Sequence, residues 1–87
     1  MDNQQVLKQL ESIATEIAQN GQVDFDSSGV GGNILERGLD SLDLVDYLLG
    51  IEEKFGIRVS EQDLKDGKLF STQAMAAFLV QRMERSK

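Results

Sequence analysis

Three separated stretches of the chain repeat apolar residues every three or four positions, and this spacing limits the fold more than any other feature of the sequence. Because an α-helix makes one turn in about 3.6 residues, apolar residues spaced in this way lie along one helix face. The stretches are residues 3–20, residues 41–55 and a third that begins at Ser71 or Thr72. Their apolar faces consist of Val6, Leu10, Ile13 and Ile17, then Leu44, Leu48, Ile51 and Phe55, then Met75, Phe78, Leu79 and Met83. Since the chain has no proline and many strong helix formers, the sequence predicts an all-α protein.

Two connecting segments complete the predicted fold. Residues 21–40 form a connection that is long for a compact domain, so we expect apolar side chains within it to anchor it to the core; the candidates are Val23, Phe25, Ile34 and Leu35. Residues 60–67 begin with a cap residue, Ser60, and end at Gly67, which predicts one short helix. The expected architecture is a small four-helix bundle with three longer helices, one short third helix and a long first loop. We expect residues 1–87 to form a single domain.

The absence of two residue types restricts the chemistry of this chain. It contains no histidine and no cysteine, so a serine–histidine or cysteine–histidine nucleophile, a zinc finger and a disulfide are all excluded. A domain of 87 residues without either residue type is a poor candidate for an autonomous enzyme. We expect no catalytic residue and no metal site, and any thiol chemistry would have to come from a prosthetic group.

The chain is acidic, with 15 Asp and Glu against nine Lys and Arg, a net charge of −6 and a pI near 4.4. Such a surface repels nucleic-acid phosphates and attracts basic partners, so nucleic-acid binding is not expected. The apolar run Ala74–Val80 is too short to cross a bilayer, and the first residues lack the pattern of a signal peptide. We therefore expect a cytoplasmic monomer without membrane insertion, whose first helix turns Lys8, Glu11 and Glu16 to solvent.

The segment Gly38–Asp43 lies where the long loop meets the second predicted helix. Asp40 and Ser41 are both residue types that accept hydrogen bonds from the free amides of a first helical turn, and Gly38 supplies a flexible joint before them. A serine hydroxyl therefore lies at the positive end of a helix dipole, where a phosphate is favourably held.

Two longer motifs extend this interpretation. Leu35–Leu42, which contains Asp40-Ser41-Leu42, is followed by Ile51–Ile57, which reads Ile-Glu-Glu-Lys-Phe-Gly-Ile. Together, and over residues 35–79, they resemble the acyl carrier protein family. The resemblance implies that a partner phosphopantetheinyl transferase attaches 4′-phosphopantetheine from coenzyme A to Ser41, and that Asp40 helps to orient this transferase and its magnesium ion. It also implies a carrier of acyl or aminoacyl thioesters for fatty-acid, polyketide or related biosynthesis, rather than an enzyme. Arg37 departs from the family, in which leucine is usual before the glycine, and so leaves the packing of the loop open.

The outer face of the second helix combines leucines with carboxylates. Because no basic residue occurs between Gly38 and Glu53, this face is on its pattern alone most typical of a solvated acidic surface. The resemblance implies instead that it docks acyl-loading, synthase and transferase enzymes through their basic patches. The residues expected to do so are Leu42, Asp43, Asp46, Leu49 and Glu53.

Other interpretations stay open at this point. The chain could be an unmodified acidic adaptor that docks a basic partner through its second helix, with Ser41 serving only as a helix cap. Residues 24–36 also begin like an EF-hand, but Leu35 stands at the twelfth position, where that loop needs glutamate, so no specific calcium site is expected. The sequence does not distinguish between fatty acyl, polyketide and aminoacyl cargoes.

Overall fold

A computed structural model describes residues 2–65 and 67–85 of the chain and shows three α-helices in that part. Helix α1 spans Asn3–Asn20, α2 spans Ser41–Phe55 and α3 spans Thr72–Arg85. One 3-10 turn, Lys68–Phe70, precedes α3. These bounds confirm the all-α class and the three longer helices.

The fourth helix of the predicted bundle is not confirmed. Residues 61–65 form successive turns, in which the amides of Asp63, Leu64 and Lys65 each donate to the carbonyl three positions earlier, as Asp63 N does to Ser60 O at 3.1 Å. Gly67 then adopts a positive φ of 77°, which redirects the chain into the single 3-10 turn. Asp66 lies outside the described residues. Over residues 2–65 and 67–85 the architecture is thus three α-helices with one 3-10 turn.

Helix α1 packs against both α2 and α3 and supplies much of the core. The predicted apolar faces do point inward, although Ile17, Leu44, Leu48, Phe55, Phe78 and Met83 are only half-buried. At Gly50 a Cβ atom would lie 3.0 Å from Ile13 Cγ2, so the glycine permits the close approach of α1 and α2. Among the described residues, no helix is both long enough and apolar enough to cross a membrane.

The long loop is anchored as predicted. Ile34 is fully buried, and Val23, Phe25 and Leu35 pack half-buried against the core. Backbone hydrogen bonds also join the loop to the start of α3, including Ile34 N to Phe70 O at 2.9 Å and Thr72 N to Gly32 O at 3.2 Å. The loop is therefore packed between α1 and the beginning of α3.

Tyr47 lies at the centre of the core without any exposed surface, and its hydroxyl has no hydrogen-bond partner among the described residues. A buried hydroxyl without a partner destabilises the folded state because it has lost its hydration. We therefore expect Tyr47→Phe, which keeps the ring, to raise the free energy of unfolding at neutral pH by about 1 kcal/mol, as measured by urea denaturation. A loss of stability of similar size would show that the hydroxyl does have a partner.

The same substitution should change the pH dependence of stability. Burial raises the pKa of Tyr47 in the folded protein, whereas a tyrosine in the unfolded chain ionises near pH ~10. Above that pH the unfolded state releases a proton that the folded state retains, so the wild type should lose stability as pH rises. The difference in the free energy of unfolding between Tyr47→Phe and the wild type, measured by urea denaturation, should therefore be larger at pH ~10.5 than at pH ~7.

Candidate functional site

The start of α2 is held by a reciprocal pair of side-chain hydrogen bonds. Asp40 is the cap residue, and its Oδ1 accepts from the amides of Leu42 and Asp43 at 3.0 and 2.9 Å. Asp43 Oδ2 accepts in turn from the amide of Asp40 at 3.1 Å. The sequence left the cap open between Asp40 and Ser41, and the structure assigns it to Asp40.

Ser41 is consequently the first residue of α2, and its side chain is exposed. In the described part of the chain the capping bonds involve Asp40 and Asp43, and the Ser41 hydroxyl takes no part in them. The two carboxylates already complement the positive end of the helix. The site therefore offers an accessible oxygen for a covalent bond rather than a pocket for a free anion.

Gly38 holds the chain in a tight turn just before this site. Its φ is +129°, and a Cβ atom there would lie 2.5 Å from the carbonyl oxygen of Asp24. The glycine predicted as a flexible joint thus adopts one specific, crowded conformation in this structure. A glycine is needed here because the backbone of the loop at Asp24 passes directly against it.

Arg37 and Glu11 form a buried ion pair next to this turn, and their side chains are only 5 and 14 % exposed. The guanidinium binds the carboxylate through two parallel hydrogen bonds, Nη2 to Oε1 at 2.6 Å and Nη1 to Oε2 at 2.7 Å. Arg37 Nε also donates to the carbonyl of Asp26 at 2.9 Å, and the guanidinium lies over the ring of Phe25. Each nitrogen of the unusual arginine thus donates one hydrogen bond, and the expectation that Glu11 faces solvent is wrong.

Glu11 also accepts hydrogen bonds from two other parts of the fold. Its Oε2 accepts from Thr72 Oγ1 at 2.6 Å, at the start of α3, and from the amide of Gly31 at 3.3 Å. Burial by itself would raise the pKa of Glu11, but the hydrogen bonds from Arg37, Thr72 and Gly31 outweigh it and hold the pKa below its usual value. The same pair of hydrogen bonds raises the pKa of Arg37. Both groups are therefore charged at neutral pH.

The family model described as the phosphopantetheine attachment site matches residues 11–79, which is more than half of the chain. The chain belongs to the acyl carrier protein family. Acyl carrier protein 5, chloroplastic, from Arabidopsis thaliana is 37 % identical to this carrier over 57 residues, which cover 66 % of the present chain. The match covers only 39 % of that relative's length. No solved structure matches this carrier.

The prosthetic group of an acyl carrier protein is a covalently attached 4′-phosphopantetheine, and the residues at the start of α2 fit it. Such a group needs one accessible nucleophilic oxygen, and the Ser41 hydroxyl at the first residue of α2 is exposed. When bound, the group supplies the thiol that the polypeptide lacks.

The outer face of α2 in this carrier is an exposed apolar strip, which we call the docking strip: Leu42, Val45 and Leu49. They are 78, 56 and 52 % exposed, respectively. Val45 was missed in the sequence, although its spacing of three and four residues from the two leucines places it on their face. Asp46 and Glu53 are exposed, as expected, whereas Asp43 is half-buried and engaged in the cap.

Residues 24–36 show no arrangement for binding a divalent cation. In the described residues, no group of three or more acidic side chains converges on a common point. Asp26 instead accepts hydrogen bonds from the hydroxyl and the amide of Ser28 at 2.5 and 3.0 Å, and the hydroxyl contact contributes most to holding the pKa of Asp26 below its ordinary value. These bonds form a local turn and direct one carboxylate oxygen into it.

Proposed function

We propose that this protein carries acyl or aminoacyl groups as thioesters on a 4′-phosphopantetheine arm attached to Ser41, and presents them to partner enzymes without catalysing a reaction itself. The observation that supports this proposal most directly is the exposed Ser41 hydroxyl at the first residue of α2, left outside the cap that Asp40 provides. An attachment site needs an accessible hydroxyl, whereas a capping hydroxyl would be engaged by an amide of the first helical turn.

The attachment step assigns distinct roles to two neighbouring residues. Ser41 Oγ forms a bond to the phosphorus of coenzyme A that carries the pantetheine, the pyrophosphate bond breaks, and adenosine 3′,5′-bisphosphate leaves. The hydroxyl proton passes to a base of the transferase. Asp40 uses Oδ1 for both amide bonds of the cap. Its Oδ2 accepts none of the described hydrogen bonds, and we propose that it faces the transferase and its magnesium ion.

The docking strip is the proposed contact surface for partner enzymes. Three exposed apolar side chains on one helix face provide area to bury, while Asp46 and Glu53 beside them attract lysine and arginine of a partner. The charges chiefly speed the encounter, and the apolar side chains contribute most of the binding free energy. The proposed partners are a phosphopantetheinyl transferase and acyl-loading, synthase or transferase enzymes with basic docking patches.

A tethered cargo gives this small chain a role in biosynthesis even though it catalyses no reaction itself. Holding the thioester on the carrier keeps its effective concentration high at each docked active site. We propose a role in fatty-acid, polyketide or related biosynthesis. A monomer in the cytoplasm stays our prediction; the Arabidopsis relative is by its name chloroplastic.

Mass spectrometry tests the proposal. We expect the protein to gain the mass of one phosphopantetheinyl group when it is incubated with coenzyme A, magnesium and a broad-specificity phosphopantetheinyl transferase. The gain should vanish in Ser41→Ala and persist in Ser12→Ala, which removes another exposed serine hydroxyl from α1. If the wild type gains no mass while the same transferase modifies another carrier, the protein is instead an unmodified acidic adaptor.

A further inference from the structure

Ser41 is positioned by two structures, the cap of α2 on one side and the end of the long loop on the other. Residues 21–40 have no helix or strand of their own, so their path depends on turns within the loop and on contacts with the rest of the fold. Leu39, two residues before Ser41, is buried, and its amide donates to Ile34 O at 3.1 Å. The end of the loop is therefore packed against the core immediately before the modification site.

Arg37 is the residue that joins this end of the loop to the rest of the protein. Its carbonyl accepts from the amide of Asp26 at 2.8 Å and its Nε donates back to the Asp26 carbonyl, so its main chain and side chain bind the same residue. Its guanidinium reaches Glu11 on α1, and Glu11 in turn binds Thr72 on α3 and Gly31 within the loop. One ion pair thus connects both ends of the loop with two helices.

We infer that Arg37 and Glu11 are positioning residues for Ser41, which hold the loop in the conformation that the phosphopantetheinyl transferase recognises. This inference rests on the proposed function. Without the pair, the turn from Gly38 to Asp40 would sample several conformations, of which only a fraction is competent to bind the transferase. The apparent affinity of the carrier falls by that fraction, whereas the chemical step in the bound complex does not change. The effect should thus be seen in KM rather than in kcat.

Steady-state modification kinetics with the carrier as the varied substrate test this inference. Arg37→Met should raise the KM of the carrier about tenfold or more and leave kcat within about threefold of the wild type. Arg37→Lys keeps the charge and loses the bidentate geometry, so its KM should lie between those of the wild type and Arg37→Met. Leu79→Ala is the matched control, because it removes buried volume two turns along α3 from Thr72 and destabilises the fold without touching this ion pair.

Circular dichroism at the assay temperature ensures that only folded variants are compared. If Arg37→Met does not fold, Arg37→Lys still tests the inference. Amide exchange gives a readout that needs no transferase. Protection of the Leu39 amide, relative to that of Leu10 in α1, should fall in the Arg37 variants and not in Leu79→Ala. An Arg37→Met protein with wild-type KM and wild-type protection overturns the inference, as does an equal rise in KM for Leu79→Ala. A wild type that is never modified would instead contradict the proposed attachment to Ser41.

Discussion

Replacing Arg37 with leucine should lower the free energy of unfolding by about 4 kcal/mol, because Glu11 then keeps a buried negative charge with no cation beside it. The side chains of the pair are 5 and 14 % exposed, so water has little access to the groups that lose their hydrogen bonds. Replacing both members, as in Glu11→Leu with Arg37→Leu, should recover a large part of this loss, since neither charge then remains to be desolvated. Urea denaturation of the two variants measures both effects.

Arg58→Leu is the matched control for this prediction. It makes the same substitution at an exposed arginine after α2, where a change of about 0.5 kcal/mol or less is expected. If Arg37→Leu proved no more destabilising than Arg58→Leu, the ion pair would contribute nothing to the fold. If the double variant were as unstable as the single one, shape rather than charge would account for the loss.

Gly38→Ala should lower the free energy of unfolding by about 3 kcal/mol, the second large effect that the structure indicates. Two costs combine at this position. A φ of +129° is unfavourable for any residue with a Cβ atom, and that atom would lie 2.5 Å from the backbone oxygen of Asp24, which cannot move without displacing the loop. Thermal or urea denaturation measures the change.

Gly56→Ala is the milder comparison for the Gly38 substitution. Gly56 ends α2 with a φ of 68°, and a Cβ atom there would have nothing within 4 Å. Its replacement should therefore cost only the conformational strain, about 1 kcal/mol. Equal losses for the two alanine variants would show that neither the contact with Asp24 nor the larger φ at Gly38 adds to the loss.

The parts of the fold that depend on neighbouring residues in the chain could be predicted from the sequence. The bounds of α1 and α2 agree with the apolar spacing and the end signals, since a helix is closed by hydrogen bonds between residues four apart. The segment 60–67 was harder to predict. A capping serine is equally compatible with a helix and with the successive turns that were found, and a few residues cannot distinguish them.

The contacts around the site could not be predicted, because they join residues far apart in the chain. Glu11 and Arg37 are separated by 26 positions and Glu11 and Thr72 by 61, and no local pattern indicates that they meet. Arg37 was noticed only as a departure from the family, and its partner on α1 was assigned to solvent. Tyr47 was not among the residues predicted for the core, although it is fully buried and its hydroxyl has no partner among the described residues.

The sequence by itself determined the helices, the acidic outer face of α2 and the serine at its first turn, because each is encoded within a few consecutive residues or in one repeating spacing. Only the tertiary structure decided that Asp40 rather than Ser41 caps the helix, that Gly38 is held in a crowded turn, and that a buried ion pair ties the loop to α1 and α3. The physical reason is that burial and pairing depend on which distant segments come together, and that is settled only when the whole core is packed.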